Sequence, residues 1–121
     1  MSDLSRDSQR KRYAVVGVGA RGRIFIDALA GRCREYGELV AFCDISPTRM
    51  AWQNNRMQAE YNHPLVPTYL ADDFETMIRK QQVDVVLVTT PDMLHHAYII
   101  RAMEAGCDVI VLKLWDSGSG V

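Results

Sequence analysis

Tyr13-Ala14-Val15-Val16-Gly17-Val18-Gly19-Ala20-Arg21-Gly22 is the stretch on which the fold turns. Its first four residues are apolar and β-rich, as expected of a short strand buried on both faces. The strand runs directly into Gly17-Val18-Gly19-Ala20-Arg21-Gly22, which fits G-x-G-x-x-G. Alone that pattern is weak, because ordinary turns also gather glycines. Its place between a strand and a helix start gives it meaning. Gly17 permits a tight turn, Gly19 lets the backbone approach a pyrophosphate, and Gly22 lets the helix pack close to the strand. Ala20 and Arg21 complete the loop. An anion held there would rest on N–H groups at the positive end of the helix dipole.

Residues 21–35 then read as a helix, with Ile24, Ala28, Leu29 and Cys33 on its apolar face. Leu39-Val40-Ala41-Phe42-Cys43 is a second apolar run, closed by Asp44. That aspartate lies 22 positions beyond Gly22, near the spacing of about 20 at which an acid accepts the ribose hydroxyls of a bound adenosine. Its charge also repels a 2′-phosphate, which favours NAD over NADP. Arg49, one turn into the next helix, could reach such a phosphate and pulls the other way. Ser46 followed by Pro47 suits an N-cap and a first-turn proline. The helix they open runs to Tyr61 on a face of Met50, Ala51, Met57 and Tyr61.

Pro64 to Leu70 leaves room for at most a short strand near residues 67–69. Asp72, with Glu75 three residues on, resembles a capping box for a helix through Gln81. Val83-Asp84-Val85-Val86-Leu87-Val88 is a further strand, broken by Thr89-Thr90-Pro91-Asp92. A helix from Leu94 to Ala105 is stopped by Gly106, and Val109-Ile110-Val111-Leu112 is the last strand. Five strand signals alternate with four helix signals. This is the pattern of an α/β, doubly wound parallel sheet of about five strands with helices on both faces.

In such a sheet the ligand lies beyond the carboxyl ends of the strands, where the winding reverses. Thr89, Thr90 and Pro91 therefore fall beside the expected dinucleotide. Asp92 suits a helix cap and a cofactor contact equally. His95 and His96 point about 100° apart on a helix, so one, taken as His95, can face the crevice as a polar contact. His63 is the only other histidine and no cysteine pair accompanies it, so no metal site is expected.

The remaining composition excludes more than it proposes. Fourteen Lys+Arg against fifteen Asp+Glu leave a formal charge of −1, which gives no electrostatic reason for nucleic acid or an anionic membrane as partner. No apolar run approaches the roughly 20 residues of a membrane-spanning helix, and the first residues lack a secretory core. Cys33, Cys43 and Cys107 form no C-x-x-C and read as reduced, packed thiols of a cytoplasmic chain. With 121 residues, 48% of them hydrophobic, one domain with a real core is expected. Residues 1–12 read as a flexible tail, 13–112 as a dinucleotide-binding domain, and 113–121 as a polar C-terminal tail.

Three stretches together resemble one family. They are Ala14-Val15-Val16-Gly17-Val18-Gly19-Ala20-Arg21-Gly22, then Ala41-Phe42-Cys43-Asp44-Ile45-Ser46-Pro47-Thr48-Arg49, and Val85 to His96 continued by Ala102 to Val111. They resemble the N-terminal NAD(P)-binding half of the glucose–fructose oxidoreductase/inositol dehydrogenase (Gfo/Idh/MocA) family. The resemblance implies a Rossmann-like domain that binds NAD, with NADP possible. It also implies hydride transfer to or from a sugar, polyol or related hydroxy compound.

In that family the last strand runs into Glu-Lys-Pro, whose lysine stands near the nicotinamide and is held to assist the chemistry. Leu112-Lys113-Leu114 keeps the lysine as Lys113 but lacks both neighbours, including the proline that fixes the local backbone. The resemblance thus implies a catalytic role for Lys113 without its usual support. Residues 115–121 show no family likeness, and the family's second α/β domain does not follow. This reads as a truncation, an altered reading frame or an expression scar.

Such a chain is expected to bind dinucleotide weakly, to turn over little, and to self-associate through the bare edge of its last strand. A non-catalytic dinucleotide-binding module and the cofactor half of an NAD-dependent glycosidase remain alternatives. Methyltransferases share the glycine loop and the acid but fit Thr89 to His96 poorly.

Overall fold

The computed structural model describes residues 10–18, 22–89 and 92–111, with the backbone alone for residues 92–95. Among the described residues there are five strands: β1 (Lys11–Val16), β2 (Gly37–Cys43), β3 (Thr68–Tyr69), β4 (Val85–Val88) and β5 (Asp108–Val111). Four α-helices join them: α1 (Gly22–Ala30), α2 (Pro47–Tyr61), α3 (Phe74–Gln81) and α4 (Asp92–Glu104). The strands form one parallel sheet in the order β3-β2-β1-β4-β5. The fold is the doubly wound parallel sheet expected from the alternating pattern.

The chain winds outward from β1 to β3, then returns across the sheet to β4 and winds the other way. This reversal puts α1 and α2 on one face and α3 and α4 on the other. Two separate cores result. Val15, Leu39, Phe42, Val85 and Leu87 pack with Ile26 and Leu29 of α1 and Met50 and Met57 of α2. Ala14, Val16, Val40, Cys43, Val86 and Val88 pack with Phe74, Met77 and Ile78 of α3 and Tyr98 and Ala102 of α4. Strands covered on both faces need continuous apolar runs, which explains why β1 and β4 show no polar alternation.

Register fixes where the site lies. Val16 pairs with Cys43 on one side and with Val88 on the other, so β1, β2 and β4 end at the same level. The next residue of each strand, Gly17, Asp44 and Thr89, therefore emerges along one edge. That edge sits between β1 and β4, where the winding reverses.

Several local expectations need correction. β1 starts at Lys11, inside the stretch expected to be a tail. The Arg12 N–H bonds Asp84 and its guanidinium bonds the Gln81 carbonyl and Glu38, which draws these residues onto the sheet. α1 ends at Ala30 and buries Ile26, Leu29 and Ala30, whereas Ile24 is 55% exposed. Ala51 lies on the exposed side of α2; the buried stripe there is Met50, Gln53, Asn54, Arg56 and Met57.

The capping box at Asp72 does not form. A 3-10 turn over Ala71–Asp73 precedes α3, whose N-cap, Asp73, makes no side-chain cap bond. Glu75 instead takes a paired hydrogen bond from Arg101 of α4, at 2.6 and 2.7 Å. The Arg101 guanidinium lies over the rings of Phe74 and Tyr98 and ties the two helices together. The start of α2 is as expected: Ser46 Oγ accepts the Arg49 N–H at 3.2 Å, with Pro47 in the first turn.

Candidate functional site

The turn after β1 is braced at every residue the structure describes. Gly17 adopts a left-handed φ of 87°, which only glycine takes without strain. Its N–H donates to the Cys43 carbonyl at 2.8 Å. Its own carbonyl, and that of Val16, face the Thr89 hydroxyl as acceptors. A Cβ on Gly22 would run into the Gly17 carbonyl oxygen and come within 3.1 Å of Thr89 Oγ1. Glycine at both ends thus lets α1 start directly above the strand, the role its spacing implied.

Asp44 turns toward this loop. Only 5% exposed, it accepts the Val18 N–H on Oδ2 at 2.8 Å and the Ser46 N–H on Oδ1 at 3.0 Å. A carboxylate offers about four lone-pair positions, and among the described residues each oxygen accepts one backbone N–H. Arg49 Nη1 stands 3.6 Å from Oδ1, with most of its side chain exposed. The same guanidinium that a 2′-phosphate would need is therefore drawn to the acid that repels one. Behind Asp44, burial pushes the Cys43 thiol up to about 12. It stays a neutral packing group, donating to the Leu70 carbonyl.

Gly17, Gly22, Asp44, Arg49 and Thr89 thus gather along the edge shared by β1, β2 and β4. The Thr89 hydroxyl is directed at the loop backbone and braces the turn. Asp92 opens α4, but its side chain and that of His95 lie outside the described residues. So do Gly19, Ala20, Arg21, Thr90, Pro91 and Lys113. Among the described residues no group of three His, Cys, Asp or Glu could hold a metal ion, and no helix is long and apolar enough to cross a membrane.

Three residues that no sequence motif marks bear on the loop. Gln53, 2% exposed, donates from Nε2 to the Val18 carbonyl at 2.9 Å. Arg56 donates twice to the Gln53 amide oxygen, at 3.1 and 2.8 Å. Asp27 of α1 lies 2.8 Å from Arg56 Nη2. The available signal was slight: polar residues at Gln53 and Arg56, set into a stripe otherwise marked by Met50 and Met57.

A family model described as an oxidoreductase family with an NAD-binding Rossmann fold (Gfo/Idh/MocA) matches residues 11–113. YteT of Bacillus subtilis (strain 168), named an oxidoreductase, is 31% identical over 104 residues, covering 85% of this chain and 24% of YteT. A glycosyl hydrolase family 109 protein of Solibacter usitatus is 30% identical over 106 residues, 83% of this chain and 23% of that protein. Among solved structures, the WlbA dehydrogenase from Chromobacterium violaceum, in complex with NADH and UDP-GlcNAcA, is 25% identical with a TM-score of 0.70. That match covers 94% of this chain and 29% of the dehydrogenase. The chain spans about a quarter of the length of these relatives. The family model spans the whole of the described sheet, and the chain belongs to the Gfo/Idh/MocA oxidoreductases, within their NAD-binding Rossmann fold.

Proposed function

We propose that this chain is the cofactor-holding part of an oxidoreductase that moves hydride between NAD and a sugar, polyol or related hydroxy compound. The observation that carries this reading is the Asp44 carboxylate. It is buried and accepts the Val18 N–H of the glycine loop on one oxygen and the Ser46 N–H on the other. The residues present fit a dinucleotide. The missing Cβ at Gly22 lets α1 begin close against the turn, and the acid beside that turn is the group that would accept the hydroxyls of a ribose. Bound NAD would supply the hydride acceptor; this chain's residues hold and orient it.

The charge of Asp44, together with its hold on Arg49, favours NAD over NADP. Lys113, Thr90, Pro91, Asp92 and His95 belong to the same proposal as groups beside the cofactor. Self-association through β5 belongs to it as well. Titrating the chain with NADH, followed by nicotinamide fluorescence, tests the reading. Saturable binding, displaced by NAD and not by S-adenosylmethionine, is expected. Absence of saturation at millimolar NADH would overturn it.

The match to a family 109 glycosyl hydrolase favours a second reading, the cofactor half of an NAD-dependent glycosidase. A form of the protein as long as its relatives would then release p-nitrophenol from an aryl glycoside with no net change in NADH absorbance.

A further inference from the structure

Val18 is held from both sides. Its N–H goes to Asp44 and its carbonyl to Gln53, at 2.8 and 2.9 Å. We infer that Gln53, oriented by Arg56, is a positioning residue that sets the glycine loop for the diphosphate of the cofactor. This rests on the NAD reading above.

A glutamine amide can be turned either way, and its neighbours decide which. Here the Arg56 guanidinium claims the amide oxygen with two N–H donors. The amide nitrogen is left to face the Val18 carbonyl. Arg56 is itself buried and paired with Asp27 at 2.8 Å and Glu60 at 3.2 Å, with its guanidinium carbon 5.7 Å from the centre of the Trp52 ring. Asp27 Oδ1 meets Arg56 at ion-pair distance but outside hydrogen-bond alignment, so charge rather than geometry holds that end.

An ion pair alone would staple α1 to α2. Arg56 with Asp27 already does so without any glutamine. Nor does packing require an amide at position 53, since a leucine fills a similar volume. What the amide adds is a donor aimed at the loop backbone, and a buried carbonyl left without one is costly. The chain Asp27–Arg56–Gln53–Val18 therefore carries orientation from the α1/α2 face to the residue just before Gly19.

Gln53→Glu is the cleanest variant. It keeps a partner for Arg56, and with it the helix staple, while replacing the donor to Val18 by a carboxylate oxygen that repels the Val18 carbonyl. Gln53→Leu is the second variant should the first fold poorly. In either, amide exchange at Val18 should speed by about tenfold relative to Val15 and Val86 in the sheet. NADH affinity should fall roughly tenfold, as loss of one hydrogen bond to a buried carbonyl predicts. Affinity for adenosine, which lacks the diphosphate, should stay within about twofold. Unchanged Val18 exchange and NADH affinity in Gln53→Glu, with NADH bound by the unmodified chain, would overturn the positioning role alone. Failure of the unmodified chain to bind NADH would overturn the NAD reading and the diphosphate role with it.

Discussion

The Asp44 carboxylate accepts the backbone N–H of Val18 at 2.8 Å, from 26 residues farther along the chain. One side chain thus closes the turn after β1 and caps the end of β2. Its partner Ser46 N–H lies two residues on, which fixes the carboxylate plane. A residue so placed couples loop order to ligand recognition, and substitutions there should show both effects.

Asp44→Ala should weaken NADH binding by about one to two decades, since hydrogen bonds to a charged group are worth roughly 1.5–3 kcal/mol. It also removes the charge that repels a 2′-phosphate and frees Arg49 to meet one. The NADH/NADPH affinity ratio should therefore fall further than NADH affinity alone explains. Parallel fluorescence titrations with both nucleotides measure this, and an unchanged ratio would remove Asp44 from the ribose site.

Gly22→Ala is expected to destabilise the fold by about 1–3 kcal/mol, the usual cost of forcing an extra carbon into a packed site. The obstacle is backbone: the new Cβ meets the Gly17 carbonyl, which cannot swing aside as a side chain would. Urea unfolding should show a lower midpoint at unchanged slope. A wild-type midpoint would mean that α1 sits farther from β1 than the structure places it.

Glu75 titrates far below its usual range, near 2 instead of 4.5, mainly because Arg101 hydrogen-bonds its ionised form. A group whose folded value lies below the unfolded one adds stability fully above about pH 4.5. That contribution fades as the pH falls toward 2. Nearly half of the Glu75 side chain is exposed, so solvent screening holds the contribution to at most about 1 kcal/mol. Glu75→Gln should therefore lower stability at pH 7 and lose less than the unmodified chain between pH 4.5 and 2. Equal acid limbs in the two proteins would show that the pair contributes nothing.

The alternation of strands and helices and the pairing of a glycine loop with Asp44 are legible in residues 13–44 and 83–111, because local patterns write them. Val15, Val16 and Val86 are apolar for a reason the chain declares within a few residues. Gln53 and Arg56 are a different case. Their burial depends on a carbonyl 35 residues away and an acid on another helix, so no local pattern marks them. Glu75 misled for the same reason: its partner Arg101 lies 26 residues on, and the nearer capping role at Asp72 looked sufficient. Ile24 falls outside the buried face because α1 is rotated so that Ile26 and Leu29 meet the sheet.

The edge of the sheet supplies the last expectation. β5 pairs with β4 alone among the described residues, and Ile110 and Val111 are 45% and 36% exposed. Ile100 and Met103 of the adjoining α4 are exposed too. A parallel edge strand with apolar side chains and open backbone groups is a template for pairing with another copy. The opposite edge, β3, has only two residues, with Pro67 just before it, and offers far less backbone. Association should therefore run through β5. Sedimentation velocity should show concentration-dependent association of the 121-residue chain at micromolar loading. Ile110→Lys puts on the edge the charge by which natural sheets block such pairing, and should weaken association by about tenfold without lowering the unfolding midpoint. A monomer whose sedimentation does not vary with concentration would show that this edge is not sticky.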